Sequence, residues 1–175
     1  MRLAAIAAAV LVAGGCNPFR TSNIEAVPVE SVRSILRNAS NQTVGEATLR
    51  QTPHGVLIVL ELTSAPPGTH AFHIHETGQC APDFDAAGGH FNPGGREHGY
   101  LNEAGHHVGD LPNLNIPETG RQRFDTFIPN LRLIGEGGLL DSDSSALMIH
   151  AFADDYRTDP TGGAGERIIC GVVGR

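Results

Sequence analysis

Strand-like runs of apolar residues dominate the chain. Val56-Leu57-Ile58-Val59-Leu60-Glu61-Leu62 is β-branched and Leu-rich, with turn residues before it. Upstream, Val29 to Leu36 alternates in part, and Val44 to Arg50 follows. Asn38-Ala39-Ser40-Asn41-Gln42 separates the first two runs and Thr52-Pro53-His54-Gly55 the next two. Both spacers have polar turn chemistry, so the three runs predict an antiparallel meander. Ala65-Pro66-Pro67-Gly68 breaks the chain, and Thr69 to Glu76 restarts it as a strand. Leu111 to Ile116, Arg121 to Ile128, Leu147 to Ala151 and Ile168 to Val173 read as further strands. About eight short strands without an amphipathic helix predict an all-β sandwich or barrel.

Two segments lack periodicity. Thr77 to Gly109 is Gly-rich and carries His90, His98, His106 and His107. A loop of this length is unusual in a compact domain unless it is functional. Asp154 to Glu166 is a second irregular stretch.

The N-terminus reads as a separate object. Met1-Arg2 is a short basic start, Leu3 to Ala13 an apolar Ala-rich run, and Gly14-Gly15 precede Cys16. That run is too short for a membrane-spanning helix, which needs about 20 residues. Residues 1–15 therefore read as a secretory signal. The junction resembles a bacterial lipobox, which implies lipidation of Cys16 as the mature N-terminus and a membrane anchor there. Position −3 departs from that pattern, being Ala13 where Leu is usual. Residues 16–28 are polar with two prolines and read as a tether. Residues 29–175 then form one β domain, exported to the periplasm or cell surface.

Composition narrows the partners. The chain of 175 residues has a net charge of −7, and its twelve cationic side chains are all Arg. No basic run is present, which argues against a nucleic-acid partner. With Cys16 assigned to lipid, Cys80 and Cys170 remain as one pair in an oxidising compartment. A bond between them would close a loop worth roughly 4–5 kcal/mol in the chain-entropy picture.

The histidines carry the candidate chemistry. His73 and His75 alternate with Phe72 and Ile74. On a strand both imidazoles would leave one face while Phe72 and Ile74 enter the core. An H-x-H pair alone is weak evidence for a metal. The long loop adds His90, His98, His107 and Asp110, and three imidazoles with one carboxylate suit tetrahedral Zn²⁺. Long spacings in a Gly-rich loop suggest that the loop folds around its ion. His150 follows three apolar residues and would ordinarily be a partly buried side chain at a strand end.

Five blocks in order then resemble one family. Ala71-Phe72-His73-Ile74-His75-Glu76 is similar to the "GFHVHE" motif of Cu/Zn superoxide dismutases. Gly89-His90-Phe91-Asn92-Pro93 resembles "PHFNP", and His107-Val108-Gly109-Asp110-Leu111 resembles "HVGDL". The segment from Ile149 to Asp155 resembles "VHEKADD", and that from Gly165 to Gly171 resembles "GSRLACG".

The resemblance implies an eight-stranded Greek-key β-barrel or sandwich with two long functional loops. It implies one copper (Cu) held by His73, His75, His90 and His150, and one zinc (Zn) held by His90, His98, His107 and Asp110. His90 would bridge the two ions. Asp154 would link His73 to His98, Arg167 would attract and orient the anionic substrate, and Cys80–Cys170 would be the internal disulfide. The implied reaction converts two superoxide anions to O₂ and H₂O₂ by Cu(II)/Cu(I) cycling, with His90 passing one of the protons. Homodimers are common in the family.

Some features depart from the pattern or compete with it. The stretch between Cys80 and His90 is longer than in the animal cytosolic enzymes and closer to secreted bacterial members. The second loop lacks lysines, leaving Arg157 as a candidate to help steer the substrate. His54, His70 and His106 are expected to be exposed bystanders, with the spacing to Asp110 selecting His107 over His106. The alternatives are a non-catalytic copper- or zinc-binding exported β domain, which would lack copper ligands or the arginine, and a structural or adhesion module.

Overall fold

The computed structural model describes residues 30–174. The signal, the lipobox with Cys16, and the tether fall outside the described residues. Eight antiparallel strands follow in order: β1 Ser31–Asn38, β2 Thr43–Thr52, β3 Gly55–Leu62, β4 Gly68–His75, β5 Asp110–Ile116, β6 Gln122–Pro129, β7 Ala146–His150 and β8 Arg167–Val172. They form one sheet in the order β5-β4-β7-β8-β1-β2-β3-β6. Strands β5 and β6 end that order yet follow one another in the chain, so the sheet curls into a nearly closed barrel. The connections β3 to β4 and β6 to β7 pass from one half of the sheet to the other, the Greek-key pattern.

The strands predicted from the pattern are all present, with ends shifted by at most two residues. Strand β3 explains why. Val56, Ile58, Leu60 and Leu62 are buried, while Leu57, Val59 and Glu61 face outward, the period of two that a half-covered strand imposes. Phe72 on β4 meets Phe124 on β6 across the interior, with ring centroids 6.2 Å apart. Leu131, Leu133 and Leu139, from the stretch between β6 and β7, join the same core. That stretch has no strand period, yet its leucines pack into the barrel, and the Leu133 N–H donates to Gln51 Oε1 at 2.7 Å.

Strands β4 and β7 differ from β3 because they are covered on both faces. From His70 to His75, and throughout β7, every residue is buried. The first long loop covers their outer side. Its short 3-10 helix, Phe84–Ala87, interrupts a segment expected to be irregular throughout. There Ala87 packs with Ala146, Met148 and Cys170 in a second apolar cluster, joined by Phe84 and Cys80. The Cys80–Cys170 disulfide ties the loop to β8 across 90 residues of sequence.

His70 corrects an expectation. It lies within the predicted strand, β4, but is buried, where an exposed side chain was expected. The second loop covers this end of β4, and the Nδ1 of His70 lies 2.8 Å from the His150 carbonyl, which satisfies it. His54 and His106 are exposed, as expected.

Candidate metal centre

Strand register brings the chemical residues together. Asp110 opens β5 directly opposite His73 on β4. His150 closes β7 opposite Arg167, which opens β8. The loop returns alongside β4, so His90 bridges to His75, and the Phe91 N–H donates to the Ile74 carbonyl at 2.8 Å. Six imidazoles and two carboxylates thus converge outside the barrel wall, all buried: His73, His75, His90, His98, His107, His150, Asp110 and Asp154.

Hydrogen bonds select which nitrogen of each ring faces the cluster. His73 Nε2 donates to Asp154 Oδ2 at 2.8 Å, leaving Nδ1 buried without a partner among the described residues. His75 Nδ1 donates to the Gly88 carbonyl at 3.0 Å, and His150 Nδ1 donates to the Gly165 carbonyl at 3.2 Å. Their Nε2 atoms are left facing each other at 3.4 Å. His90 Nε2 is the other unpartnered buried nitrogen. The ligand atoms of His73, His75, His90 and His150 lie within 4.8 Å of one another. Four lone pairs in one pocket, two of them orphaned, fit a metal ion that prefers imidazole, such as copper.

The opposite edge of the His90 ring meets a second set. Asp110 Oδ1 lies 2.9 Å from His90 Nδ1, 3.0 Å from His98 Nδ1 and 3.2 Å from His107 Nδ1. His107 Nδ1 and His90 Nδ1 are 3.3 Å apart. A tetrahedral ion with ligands at about 2.0–2.1 Å requires edges of about 3.3 Å between them, so these four atoms fit zinc. His73 also lies within range of His90, His98 and Asp110. Its Nε2 is committed to Asp154 and its Nδ1 faces the first set, whereas His107 Nδ1 meets both Asp110 Oδ1 and His90 Nδ1, which favours His107 as the fourth member of this set.

The carboxylates are oriented from behind. Asp110 Oδ2 accepts the N–H groups of Gly99 and His107, each at 3.0 Å, which aims Oδ1 at the three imidazoles. Asp154 bridges the two sets: Oδ2 accepts from His73 and Oδ1 from His98 Nε2 at 3.0 Å. Asn113 holds the Asp154 backbone at both ends, accepting its N–H at 2.8 Å and donating to its carbonyl at 2.9 Å. Gly162, at φ +66°, leaves room for this bridge. A Cβ there would collide with Asp154 Oδ1 and come within 2.7 Å of His98 Nε2.

The electrostatics suit cation binding. Burial first, then neighbouring imidazoles and Arg167, push His75 down to about 2 and His150 to about 3. Burial likewise lowers His90 to about 4, against the opposing hydrogen bond to Asp110. These rings are neutral at physiological pH and offer lone pairs without first losing a proton. For His98, burial is outweighed by Asp110 and Asp154, which raise it to about 9. Burial would raise both aspartates, but their histidine partners and backbone N–H donors hold them well below the usual carboxylate range.

Arg167 stands beside the first set. Its Nη1 donates to the Phe84 carbonyl at 2.8 Å and its Nη2 to the Gly88 carbonyl at 2.7 Å. Gly88 O is thus shared between Arg167 and His75. With Nε facing Asp85, two of the five guanidinium N–H groups have no partner among the described residues and can receive a small anion.

The sequence-predicted residues therefore converge, with Cys80–Cys170 holding the loop. His106 stays outside, meeting the Tyr100 ring edge-on with centroids 4.6 Å apart. Arg157 lies in a turn whose neighbouring Tyr156 carbonyl accepts the Leu101 N–H, on the His98 side of the cluster. Asn113, Gly88 and Gly162 were not singled out from the sequence, which reads His70 as an exposed bystander. A glycine amid polar loop residues was the only signal for two of them.

Comparisons with known proteins agree with this geometry. The family model described as copper/zinc superoxide dismutase (SODC) matches residues 43–173. Superoxide dismutase [Cu-Zn] 1 of Aquifex aeolicus is 46% identical over 140 residues, covering 78% of this chain and 83% of that protein. Superoxide dismutase [Cu-Zn] of Caulobacter vibrioides is 40% identical over 148 residues, covering 82% and 85%. Among solved structures, a superoxide dismutase-like protein from Bacillus subtilis superposes with a TM-score of 0.76 at 41% identity, covering 80% of this chain and 96% of that one. The Cu/Zn superoxide dismutase from Brucella abortus gives 0.68 at 32% identity, covering 82% and 99%.

Proposed function

The chain belongs to the copper/zinc superoxide dismutase family, and we propose from this that it converts two superoxide anions to O₂ and H₂O₂ at a copper–zinc centre. When bound, copper supplies a one-electron couple at imidazole ligands, and zinc, which has no redox chemistry, supplies a fixed positive charge. His73 Nδ1 and the Nε2 atoms of His75, His90 and His150 would hold copper. The Nδ1 atoms of His90, His98 and His107 with Asp110 Oδ1 would hold zinc. The observation carrying this reading is the double role of the His90 ring: Nδ1 faces Asp110 at 2.9 Å while Nε2 is buried and unpartnered.

The remaining groups serve the anion and its protons. Arg167 has two N–H groups to orient superoxide. Its local field counteracts an unfavourable net charge of −7. His90 Nε2, when free of metal, can carry a proton toward the product. Asp154 fixes the rings of His73 and His98, so both present Nδ1 inward.

Metal analysis beside a dismutase assay tests the reading. One copper and one zinc per chain with activity is the expected result; a metal-replete protein that cannot dismutate superoxide overturns it. His150→Ala should abolish activity while zinc stays bound, and loss of both metals would show the donor sets to be misassigned. A non-catalytic metal-binding relative would be expected to lack a copper donor or the arginine, and here each of those positions is filled.

The Cys80–Cys170 disulfide fits an exported protein. The basic start, apolar run and Gly14-Gly15-Cys16 junction support residues 1–15 as a signal and Cys16 as a lipid anchor. Residues 16–28 would then tether the domain of residues 29–175 at the periplasmic or cell-surface face of a membrane. Palmitate labelling should disappear in Cys16→Ser, and labelling that persists refutes the anchor.

A further inference from the structure

We infer that Asp85 acts as a brake on anion access to Arg167, making it a residue that sets the rate and salt response of the proposed reaction. The inference rests on the reading of Arg167 as the group that attracts the anionic substrate. Asp85 Oδ1 lies 3.6 Å from Arg167 Nε, an ion pair longer than a hydrogen bond. The Asp85 side chain is 90% exposed and that of Arg167 20%, so the carboxylate stands on the solvent side of the guanidinium.

The contact is built into the loop. Phe84, whose carbonyl accepts from Arg167 Nη1, is the immediate neighbour of Asp85 in the 3-10 helix Phe84–Ala87. Asp83 caps that helix by accepting the Asp85 N–H at 3.1 Å, and Ala87 is packed against Met148 and Cys170. The same turn therefore orients the arginine and sets a negative charge against it. Asp83, Glu166 and Arg37 line the same groove as Asp85 and Arg167, so with Asp85 the surroundings of Arg167 there stay net negative despite the second arginine.

The size of the effect follows from exposure. An anion on the free Nη face would sit about 6 Å from the Asp85 carboxylate, and at the dielectric of water that repulsion amounts to about threefold in affinity. Salt shortens the range, because the screening length falls from about 30 Å at 0.01 M to about 8 Å at 0.15 M.

The test compares copper- and zinc-loaded wild-type protein with Asp85→Asn, Asp85→Glu and Arg167→Ala. Two quantities are read: the azide dissociation constant, from its charge-transfer absorption on copper, and kcat/KM for superoxide across ionic strength. Asp85→Asn is expected to bind azide about threefold more tightly and to raise kcat/KM similarly at low salt, with the gain shrinking as salt is added. Asp85→Glu is expected to behave as wild type. Unchanged azide affinity and rate in Asp85→Asn, while Arg167→Ala weakens both, overturns the brake alone. If Arg167→Ala changes neither quantity, the reading of Arg167 fails and the inference fails with it. If Asp85→Glu matches Asp85→Asn, the effect comes from packing and the charge argument is refuted.

Discussion

Removing the Asp154 carboxylate should separate the two halves of the centre by how each is supported. Asp154→Ala deletes two acceptors, Oδ2 for His73 Nε2 at 2.8 Å and Oδ1 for His98 Nε2 at 3.0 Å. A hydrogen bond to a charged group is worth about 1.5–3 kcal/mol, and losing such a partner behind a metal ligand typically costs about 10–100-fold in affinity. The loss should not be shared equally. His73 sits within β4, paired to Asp110 on β5 and Met148 on β7, and its ring lies against His90 with centroids 4.0 Å apart. His98 is carried by a loop, and the hydrogen bonds of its ring go to Asp110 and Asp154. Zinc affinity is therefore expected to fall by about 10–100-fold and copper affinity by less. Competition against a chelator at neutral pH, run separately for each metal, reads both constants, and circular dichroism reports on the fold. Copper lost while zinc is retained, or no change in either constant, would refute this account of the support.

Other perturbations address neighbouring points. Gly162→Ala puts a Cβ into the Asp154–His98 bridge at φ +66°, where the backbone alone costs about 1–2 kcal/mol; zinc content and melting temperature should both drop, and a variant with wild-type values for both contradicts the steric argument. Gly88→Ala, at φ +72°, brings a Cβ to 2.7 Å from Glu76 Oε1 and displaces the carbonyl shared by His75 and Arg167. Copper affinity should fall with zinc affinity preserved, and the reverse pattern would rule the shared carbonyl out. In the metal-free protein, His75, His90 and His150 have folded pKa values of about 2, 4 and 3, below the ordinary 6.5. Below that value the unfolded chain binds more protons at these rings, so stability should decline as pH falls from 6.5. His98 has the opposite sign: raised to about 9, it contributes stability present below 6.5 and lost as pH rises through 9. A urea midpoint unchanged between pH 7 and pH 5 would remove the three lowered histidines from the balance.

Much of this was legible in the sequence because a period of two is a local signal. The strand runs, and the projection of His73 and His75 from one face opposite Phe72 and Ile74, follow from alternation alone. Register is not local. That Asp110 faces His73 across β4 and β5, and His150 faces Arg167 across β7 and β8, depends on irregularities between His70 and Phe72 and between Ile149 and His150. No single-strand pattern reports such slips. His70 was misread for a related reason: its burial depends on the His150 carbonyl, eighty residues away. The leucines between β6 and β7 enter the barrel from irregular backbone, so no period marks them.

The choice of ring nitrogen was the least legible property, and it decides which atom a histidine offers to a metal. His73 turns Nδ1 inward because Asp154 takes its Nε2, whereas His75 turns Nε2 inward because Gly88 takes its Nδ1. Neighbouring strand histidines with the same outward projection thus present different atoms, each set by an acceptor on a different loop. The two loops do not act independently. Asp154, on the second loop, orients a ring of each donor set, and Gly88, on the first, steadies both His75 and Arg167. A disturbance at Gly88 can reach the copper donors and the anion-binding arginine without passing through the zinc donors. A disturbance at Asp154 touches both donor sets but leaves the hydrogen bonds of Arg167 intact. The work is divided by segment: the Gly88 turn of the disulfide-anchored loop governs access and copper, the later part of that loop supplies the zinc donors His98 and His107, and the Asp154 loop couples copper to zinc.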